Sequence, residues 1–504
     1  MDDINKTLSY FAASRKALSK DRYRPLFHYT APVGQLNDPN GLCFFKGKWH
    51  LFYQHSLGNG WFWGHAVSTD CVHWQDLPAA LTPEEWEEQC WSGNVMIEGD
   101  RAIAAYYSKN VGIVVAVSED PKLIKWEKVL PDRPVIPMPR DPETQKKYIV
   151  FDPCIWKKGD RYYLISGKFR PDPITGERER EAFLFTSPDL KNWEFLHPFL
   201  ENDIFSKHAD DCACPYFVPI GDKHAIIHFS HNSGPKYMLG YYDTEGDKFR
   251  PFEGKSLTSS NSFFGGLHAP SAFPEDKDTL RLIYNINYTK ITEQGLDMMM
   301  SLPMSVGFLD EDEHELAVRP AEELNSLRDK VIYECKAKEL DANKEYVLDG
   351  LNIDSGEIVM EFEKKRIPAL EIRVLRSEDA EEYTDIRFYR QRGDVYFKKS
   401  KWPGYAYRDC HQSVLVLDTL HSTLAPTDLR TPETQQIYID PEEKLTLRIF
   451  IDKSVVEVFA NDKIVCAARA YPTKENATGV SVRAVGESIT MERATAYSLT
   501  PIFE

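Results

Sequence analysis

The stretch Asn37-Asp38-Pro39-Asn40-Gly41 stands at the mouth of the first predicted strand. Proline fixes φ in such a run, and asparagine and glycine tolerate positive φ, so the pattern predicts a tight turn. The residues that follow indicate a strand from Leu42 to Phe45, a turn at Lys46-Gly47 and a second strand from Trp49 to His55. Asp38 is therefore predicted to lie at the start of a strand, where a rigid turn holds its carboxylate as a potential nucleophile.

The Asp-Pro pattern returns at Asp152-Pro153, within a series of similar segments. These segments open near Asp38, Ser92, Asp152, Asp211 and His268, in steps of 54, 60, 59 and 57 residues. Five units of this size, each with about four short strands, predict a five-bladed β-propeller. Because a propeller gathers the first strand of every blade around one funnel, Asp38 and Asp152 are expected to meet there. Two carboxylates held beside each other are the groups with which most glycoside hydrolases cleave a glycosidic bond.

The predicted fold class is all-β, a five-bladed β-propeller followed by a C-terminal β-sandwich. No amphipathic helices alternate with the strands, which argues against parallel βαβ units. The propeller repeat ends near Arg319-Pro320. The short, regularly spaced strands that follow, such as the runs from Leu445 to Phe450 and from Lys453 to Phe459, are typical of a sandwich. The sequence predicts an N-terminal helical extension (1–24), a catalytic propeller (25–320), a linker (321–334) and a sandwich (335–504).

Charge and cysteine content limit the partners. The 61 basic and 78 acidic residues give a formal charge of −17, which argues against nucleic acid and fits a small, neutral carbohydrate. No apolar run approaches a membrane span, and residues 1–24 lack the apolar region of a secretory signal. The nine scattered cysteines are expected to be reduced thiols of a cytoplasmic protein. Exposed sandwich edges could support a homodimer.

Several side chains near Asp38 suit a sugar. Trp49 to His55 and Trp61 to His65 supply aromatic rings beside amide and imidazole groups, which match the C–H faces and hydroxyl edges of a carbohydrate. The histidines here do not share one face, so neither a metal nor another cofactor is predicted. A third acidic position, Asp210-Asp211, either caps a turn or supplies a proton. Burial beside other carboxylates raises a pKa in the way that a general acid requires.

Several of these motifs occur together in one known family. They are Asn37-Asp38-Pro39-Asn40-Gly41, Phe52-Tyr53-Gln54-His55, Trp63-Gly64-His65-Ala66-Val67-Ser68, His73-Trp74, Trp91-Ser92-Gly93, Asp152-Pro153 and the run Leu447 to Phe459. In this combination and order the chain resembles glycoside hydrolase family 32, the invertases, fructanases and sucrose-6-phosphate hydrolases. The resemblance implies a propeller with a sandwich and a retaining mechanism on a β-fructofuranosyl group. It also implies that Asp38 is the nucleophile and that Asp152 holds the fructose hydroxyls and stabilises the transition state.

The resemblance also implies which residues line the sugar pocket. They are Asn37, Gln54, Trp63, Trp91 and Ser92.

The chain departs from the family pattern at two positions of the predicted site. Phe151 stands where the family usually has an arginine before the Asp-Pro pair, and Ala213 stands where the family has its acid/base glutamate in a Glu-Cys-Pro run. Three explanations follow from the second departure: Asp210 or Asp211 replaces the glutamate through a bulge, the acid comes from elsewhere, or the acid is lost. The sequence favours Asp211.

These observations predict an intracellular retaining glycoside hydrolase that cleaves a β-fructofuranosyl linkage in sucrose, a phosphorylated sucrose or a short fructan. Two alternatives stay open: a fructosyltransferase that uses the same site, and a carbohydrate-binding homologue without catalysis. An arabinan-type five-bladed glycosidase is the structural alternative, but such enzymes lack the run around Val455 to Phe459.

Overall fold

Strands make up most of this protein in the structure, a computed structural model that describes residues 2–172, 174–258, 264–309, 314–394, 411–440 and 442–503. The helices of the described residues are α1 (Asp2–Leu18), α2 (Pro142–Gln145) and a 3₁₀ helix (Glu322–Leu327). No helix in the described ranges is long and apolar enough to cross a membrane.

The described part of residues 35–320 forms five antiparallel sheets, each made of consecutive strands. They are β1 (Gln35–Phe45), β2 (Lys48–Ser56), β3 (Trp61–Ser68) and β4 (Gln75–Leu81); β5 (Cys90–Glu98), β6 (Arg101–Ser108), β7 (Gly112–Ser118), β8 (Glu127–Lys128) and β9 (Ile136–Pro137); β10 (Asp152–Lys158), β11 (Arg161–Pro171), β12 (Arg178–Ser187) and β13 (Glu194–Pro198); β14 (Ala213–Ile220), β15 (Lys223–Ser230), β16 (Gly234–Asp243) and β17 (Lys248–Lys255); and β18 (Leu267–Pro274), β19 (Leu280–Ile286), β20 (Met299–Met300), β21 (Met304–Phe308) and β22 (Leu316–Pro320).

The first strands of these sheets surround one axis. Strand β1 contacts β5, β5 contacts β10, β10 contacts β14, β14 contacts β18, and β18 returns to β1. A closed ring of this kind leaves only short, protected sheet edges and is the arrangement of a β-propeller. It brings residues that are far apart in the sequence to the same axial pocket.

Two further antiparallel sheets pack face to face in the C-terminal third of the chain and form a sandwich. One contains β23 (Arg328–Cys335), β24 (Lys338–Leu340), β26 (Ser355–Phe362), β31 (Leu445–Asp452), β32 (Val455–Ala460), β33 (Ile464–Arg469) and β35 (Ile489–Leu499); the other contains β25 (Glu345–Asn352), β27 (Ala369–Arg376), β28 (Thr384–Tyr389), β29 (Ser413–Asp418), β30 (Glu433–Ile437) and β34 (Gly479–Val485). Their inner faces share one core of leucine, isoleucine and valine. The predicted all-β class, a propeller followed by a sandwich, is confirmed.

Strand β23 begins inside the segment that the sequence predicted to be a linker. Its charged and apolar residues come in blocks rather than in alternation, and most of them are exposed, so the pattern of a half-buried strand is missing from the sequence. Pairing with β35 creates the strand nevertheless. The 3₁₀ helix Glu322–Leu327 is therefore the main connection between the two halves.

A buried histidine joins the segment before β1 to the sandwich. The Nδ1 atom of His28 lies 2.8 Å from Oδ2 of Asp452, and its Nε2 atom lies 3.2 Å from Oε1 of Glu457. Although burial opposes protonation, these two carboxylates raise the pKa of His28 to about 9. The acidic residues of the Leu447 to Phe459 run therefore hold the two halves of the chain together.

Gly93 lies where β5 packs closely against β6, so a substitution there tests the packing of these two strands. A Cβ atom at this position would be in hard contact with the carbonyl oxygen of Ala105 on β6. We expect Gly93→Ala to lower the free energy of unfolding by about 1–3 kcal/mol, because backbone must move to admit the methyl group. Urea denaturation measures the effect. Gly307→Ala is the matched control, since its Cβ would meet only Asp278 O at 3.4 Å, and an equal loss in both variants would contradict the prediction.

Candidate active site

Irregular backbone in four of the five axial strands positions the central side chains. The antiparallel register shifts at Asp38 in β1, at Ser92 in β5, at Cys214 in β14 and at His268 in β18. Such bulges re-aim side chains and are frequent beside active sites. Asp152 needs no bulge because it is the first residue of β10 and its carboxylate lies at the strand end.

These side chains line a cavity of about 170 Å³ at the axis. Its described walls are formed by Asn37, Asp38, Gln54, Trp61, Trp91, Ser92, Phe151, Asp152, Ala213, Cys214, Phe229, His231 and His268. Pockets for drug-sized ligands begin at about 300 Å³. The cavity is therefore suited to a single sugar unit, with aromatic side chains for its apolar face and amide, hydroxyl and carboxylate groups for its edge.

Asp38 is buried, and the hydrogen bonds that position it converge on one carboxylate oxygen. Its Oδ2 atom accepts hydrogen bonds from the Ser92 hydroxyl at 2.6 Å and the Gln54 amide at 3.1 Å, and its Oδ1 atom lies 3.4 Å from Nδ1 of His268. Burial alone would raise the pKa of Asp38, but contacts with His268 and Ser92 lower it below the ordinary value. Asp38 is therefore ionised near neutral pH, as a nucleophilic carboxylate must be.

Asp152 is equally buried but has the opposite electrostatic character. Its Oδ2 atom accepts a hydrogen bond from the backbone N–H of Cys214 at 2.9 Å. Burial, and then the nearby negative charge of Asp38, raise the pKa of Asp152 to about 6. Two carboxylates in one pocket thus have pKa values pushed apart, which marks a site where they take different roles.

The Cys214 thiol lies between the two carboxylates. Its Sγ atom is 3.4 Å from Oδ2 of Asp152 and 3.7 Å from Oδ2 of Asp38. Burial and these two charges raise the pKa of the thiol well above its ordinary value, so it stays neutral. The backbone of Cys214 is left-handed, with φ of +47°, a strained conformation for a residue with a side chain. In this backbone conformation the N–H of Cys214 donates its hydrogen bond to Asp152.

The structure does not bring Asp210 to the cavity, which corrects one prediction from the sequence. Asp210 is fully buried behind the wall, where it accepts hydrogen bonds from the hydroxyls of Ser230 at 2.8 Å and Ser233 at 2.5 Å and from the backbone N–H of Lys207 at 2.8 Å. All of these partners donate, so Asp210 stabilises the turn rather than supplying a proton.

Asp211 also fails as the proton donor that the sequence favoured. Its Oδ1 atom accepts the backbone N–H of His231 at 3.0 Å, and its Oδ2 atom lies 2.8 Å from Nδ1 of the same residue. Burial would raise the pKa of Asp211, but His231 holds it below the ordinary value. Asp211 is therefore an ionised carboxylate behind His231, and His231 is the side chain that lines the cavity.

Trp63 does not line the cavity, contrary to the prediction from the sequence. Its side chain is 0 % exposed, packs against Phe52 in the core and donates its indole N–H to the carbonyl oxygen of Trp91 at 2.8 Å. The cavity is lined instead by Trp61, which lies on the same face of β3 two residues earlier. Of the other predicted pocket residues, Asn37, Gln54, Trp91 and Ser92 all line the cavity.

Two histidines were missed as site residues. His268 opens the fifth repeat, so its position equivalent to Asp38 was a usable signal. His231 follows the end of β15, and only strand pairing reveals its place. Ala213 pairs with Phe229, and the same register continued by two residues sets Asp211 opposite His231.

Phe151 stands where the family usually has an arginine, and a lysine on the neighbouring strand lies over its ring. Nζ of Lys168 on β11 lies 3.5 Å from the centre of the Phe151 ring and 3.9 Å from Oδ2 of Asp211. Cations bind favourably over aromatic faces. Lys168 thus places a positive charge beside the cavity, on the side where the sequence lacks an arginine.

Ser92 offers a direct test of how Asp38 is kept ionised. Ser92→Ala removes the 2.6 Å hydrogen bond to Oδ2, which favours the charged carboxylate. We expect the pKa of Asp38 to rise and kcat to fall roughly 10-fold, because the ionised nucleophile loses its shortest hydrogen bond. Steady-state kinetics at pH 7 measure the loss, and a native kcat in this variant would contradict the role of Ser92.

A buried pair of carboxylates whose pKa values are shifted in opposite directions, in an axial propeller pocket lined by aromatic side chains, is typical of a glycoside hydrolase. Comparison with models of known protein families supports the same class of enzyme. The model described as "Glycosyl hydrolases family 32 N-terminal domain" matches residues 28–320, and "Glycosyl hydrolases family 32 C terminal" matches residues 323–498. The chain belongs to glycosyl hydrolase family 32, whose members act on β-fructofuranosides.

Individual relatives share between a fifth and a third of their residues with this chain. The chain is 28 % identical to a fructan 6-exohydrolase of Beta vulgaris, over 90 % of this chain and 82 % of that protein. It is 24 % identical to a sucrose-6-phosphate hydrolase of Zymomonas mobilis, over 93 % and 90 % of the two chains. Among solved structures, fructan 1-exohydrolase IIa from Cichorium intybus superimposes with a TM-score of 0.78 at 22 % identity and covers 95 % of this chain and 98 % of its own. That likeness supports the fold.

Proposed function

We propose that this protein hydrolyses a β-fructofuranosyl linkage with retention of configuration, through a covalent ester on Asp38. The observation that carries the proposal is the buried Asp38 carboxylate, hydrogen-bonded by Ser92 and Gln54, beside Asp152 in a cavity sized for one sugar unit. In a retaining glycosidase one carboxylate attacks the anomeric carbon and water then hydrolyses the glycosyl ester. Asp152 is suited to hold fructose hydroxyls that bind more tightly in the transition state.

The proposed substrates are sucrose, a phosphorylated sucrose or a short fructan. The names of the relatives, fructan exohydrolases and a sucrose-6-phosphate hydrolase, support this range. The small cavity supports recognition of the fructosyl unit alone, so that the rest of the substrate lies toward solvent. Rates on sucrose, sucrose 6-phosphate and 1-kestose under one condition rank the three classes.

Product stereochemistry tests the mechanism. Proton NMR during the first minutes of hydrolysis distinguishes the β-anomer of fructose from the α-anomer before mutarotation. We expect β-fructofuranose first, since two inversions restore the configuration. Initial release of the α-anomer would contradict an ester intermediate.

A carbohydrate-binding protein without catalysis is the second candidate, and Ala213 is the observation that favours it. A methyl group cannot replace the family's acid/base glutamate. Calorimetry with sucrose and 1-kestose, paired with an overnight product assay, separates the two functions. Binding without any product supports the binding protein, whereas released fructose supports the hydrolase.

We also propose that the enzyme works inside the cell. The eight cysteines of the described residues are unpaired, and seven of them are buried. Free thiols are usual where the compartment is reducing. Cell fractionation with detection of the native protein tests this, and recovery from the external medium would contradict it.

A further inference from the structure

The site lacks the usual source of the proton that a departing sugar needs. The leaving oxygen of a fructoside carries the electron pair of the broken bond, and an alkoxide is a poor leaving group unless it is protonated. Ala213 occupies the place of the family's glutamate, and its methyl group has no proton to give. Another group at the cavity must therefore act as the acid if fructosides with alcohol leaving groups are cleaved.

The described cavity wall contains five titratable side chains. Asp38 is the nucleophile and is ionised, and Cys214 has a thiol that stays neutral and lies between two carboxylates. Asp152 is bound at the cavity floor by the Cys214 backbone, and its side chain is buried. His268 is also buried and lies against Asp38 at 3.4 Å. His231 differs from all of these because its side chain is 46 % exposed and can be reached by a group that points toward solvent.

The hydrogen bonds of His231 are those of a positioned acid and base. Asp211 contacts both its backbone N–H, at 3.0 Å, and its Nδ1 atom, at 2.8 Å. A carboxylate on Nδ1 fixes the ring orientation and stabilises the imidazolium, as the aspartate does in a serine-protease triad. Because Nδ1 faces Asp211, proton exchange with a substrate takes place through Nε2.

We propose that His231 is the general acid and base of this site and that Asp211 is its positioning residue. The proposal rests on the proposed function, since it assigns the proton transfers of that same reaction.

Two balanced steps follow. In the first, Asp38 bonds to the anomeric carbon of fructose, the bond from that carbon to the leaving oxygen breaks, and the leaving oxygen takes the Nε2 proton of His231. The products are a fructosyl ester of Asp38, a neutral His231 and a free alcohol. In the second, water attacks the anomeric carbon and gives a proton to His231, and the electron pair of the ester bond returns to Asp38.

The charges that face His231 also favour this role. They come from Asp211 and Lys168 on the wall and from Asp152 and Asp38 on the floor. Burial opposes protonation and Lys168 repels it, but Asp211 and Asp152 raise the pKa of His231 above its ordinary value. The net direction favours the protonated imidazolium, and activity is expected to fall as the pH rises through that raised pKa.

The first test compares two substrates that differ in their need for an acid. His231→Gln should lower kcat on sucrose roughly 10²- to 10⁴-fold, which is the usual contribution of general acid catalysis. On β-fructofuranosyl fluoride, whose leaving group departs without a proton, the same variant should lose far less in the first step. Sodium azide should speed its turnover and yield fructosyl azide, because azide attacks without a general base. His208→Gln, at a histidine that is 71 % exposed and outside the cavity, is the matched control and should keep native rates.

The second test concerns Asp211. Asp211→Asn removes the charge that raises the pKa of His231, so the basic limb of the pH–rate profile for sucrose should move to lower pH. A residue with a purely structural role would change the rate or the stability without moving that limb. Thermal melts of each variant show whether it is folded.

The outcomes separate the two proposals. Selective loss on sucrose with azide rescue supports His231. Equal losses on both substrates, or none, overturn its role while the hydrolase proposal stands. Native protein that cleaves the fluoride but no alcohol-leaving fructoside has no working acid, which also overturns His231. Native protein that cleaves neither overturns the proposed function, and the inference with it.

Discussion

Replacement of Asp38 by asparagine is expected to reduce kcat on sucrose by roughly 10⁴-fold or more, the scale of losing a catalytic nucleophile. Asparagine has nearly the same shape and can still accept the hydrogen bond from Ser92, so the cavity should keep its form. The variant should therefore still bind a fructoside. Steady-state kinetics and calorimetry with 1-kestose measure the two properties.

The control for this variant is another aspartate in a comparable turn. Asp189 accepts hydrogen bonds from the backbone N–H groups of Lys191 and Asn192, at the surface and away from the cavity. Asp189→Asn should keep native turnover. If Asp38→Asn hydrolysed sucrose at a rate within a few-fold of the control, Asp38 could not be the nucleophile.

Asp152→Asn is expected to lower activity and raise stability together. The loss in kcat/KM should be roughly 10²- to 10³-fold, the scale of removing a group that stabilises transition-state charge. The native profile should rise with pH through about 6, because the ionised form of Asp152 is the active one, and this limb should disappear in the variant. Kinetics across pH 4–8 measure both effects.

The gain in stability follows from the raised pKa of Asp152. A carboxyl whose folded-state pKa lies above its unfolded value favours folding below the unfolded pKa and loses that contribution as pH rises through the folded value. Raising the pKa from 3.8 to about 6 costs the folded protein up to about 3 kcal/mol above pH 6. Asp152→Asn should therefore raise the free energy of urea unfolding at pH 8 and leave it nearly unchanged at pH 4. A loss at pH 8 would contradict this account.

The features set by local chemistry could be predicted from the sequence. The turn before Asp38 and the start of β10 at Asp152 depend on proline, asparagine and glycine preferences that act within a few residues. The recurrence of these segments every 54 to 60 residues is a signal of the propeller that needs no knowledge of contacts.

The features set by strand pairing could not be predicted. Trp61 and Trp63 share one face of β3, so alternation alone does not tell which of them reaches the cavity. The role of Asp211 depends on His231, which is twenty residues away and meets it only through the register of β14 and β15. A bulge at Cys214 further changes which side chains face the axis, and nothing in its local sequence marks that bulge.

Identification of the residue that carries the fructosyl group tests the central claim most directly. His231→Gln incubated with β-fructofuranosyl fluoride should form the ester quickly and lose it slowly, since the second step lacks its base. Rapid acid quenching, proteolysis and mass spectrometry then locate the added fructosyl mass. The account predicts this mass on the peptide that contains Asp38. Its appearance on the peptide that contains Asp152, or on no peptide while fluoride is released in repeated turnovers, would contradict the account.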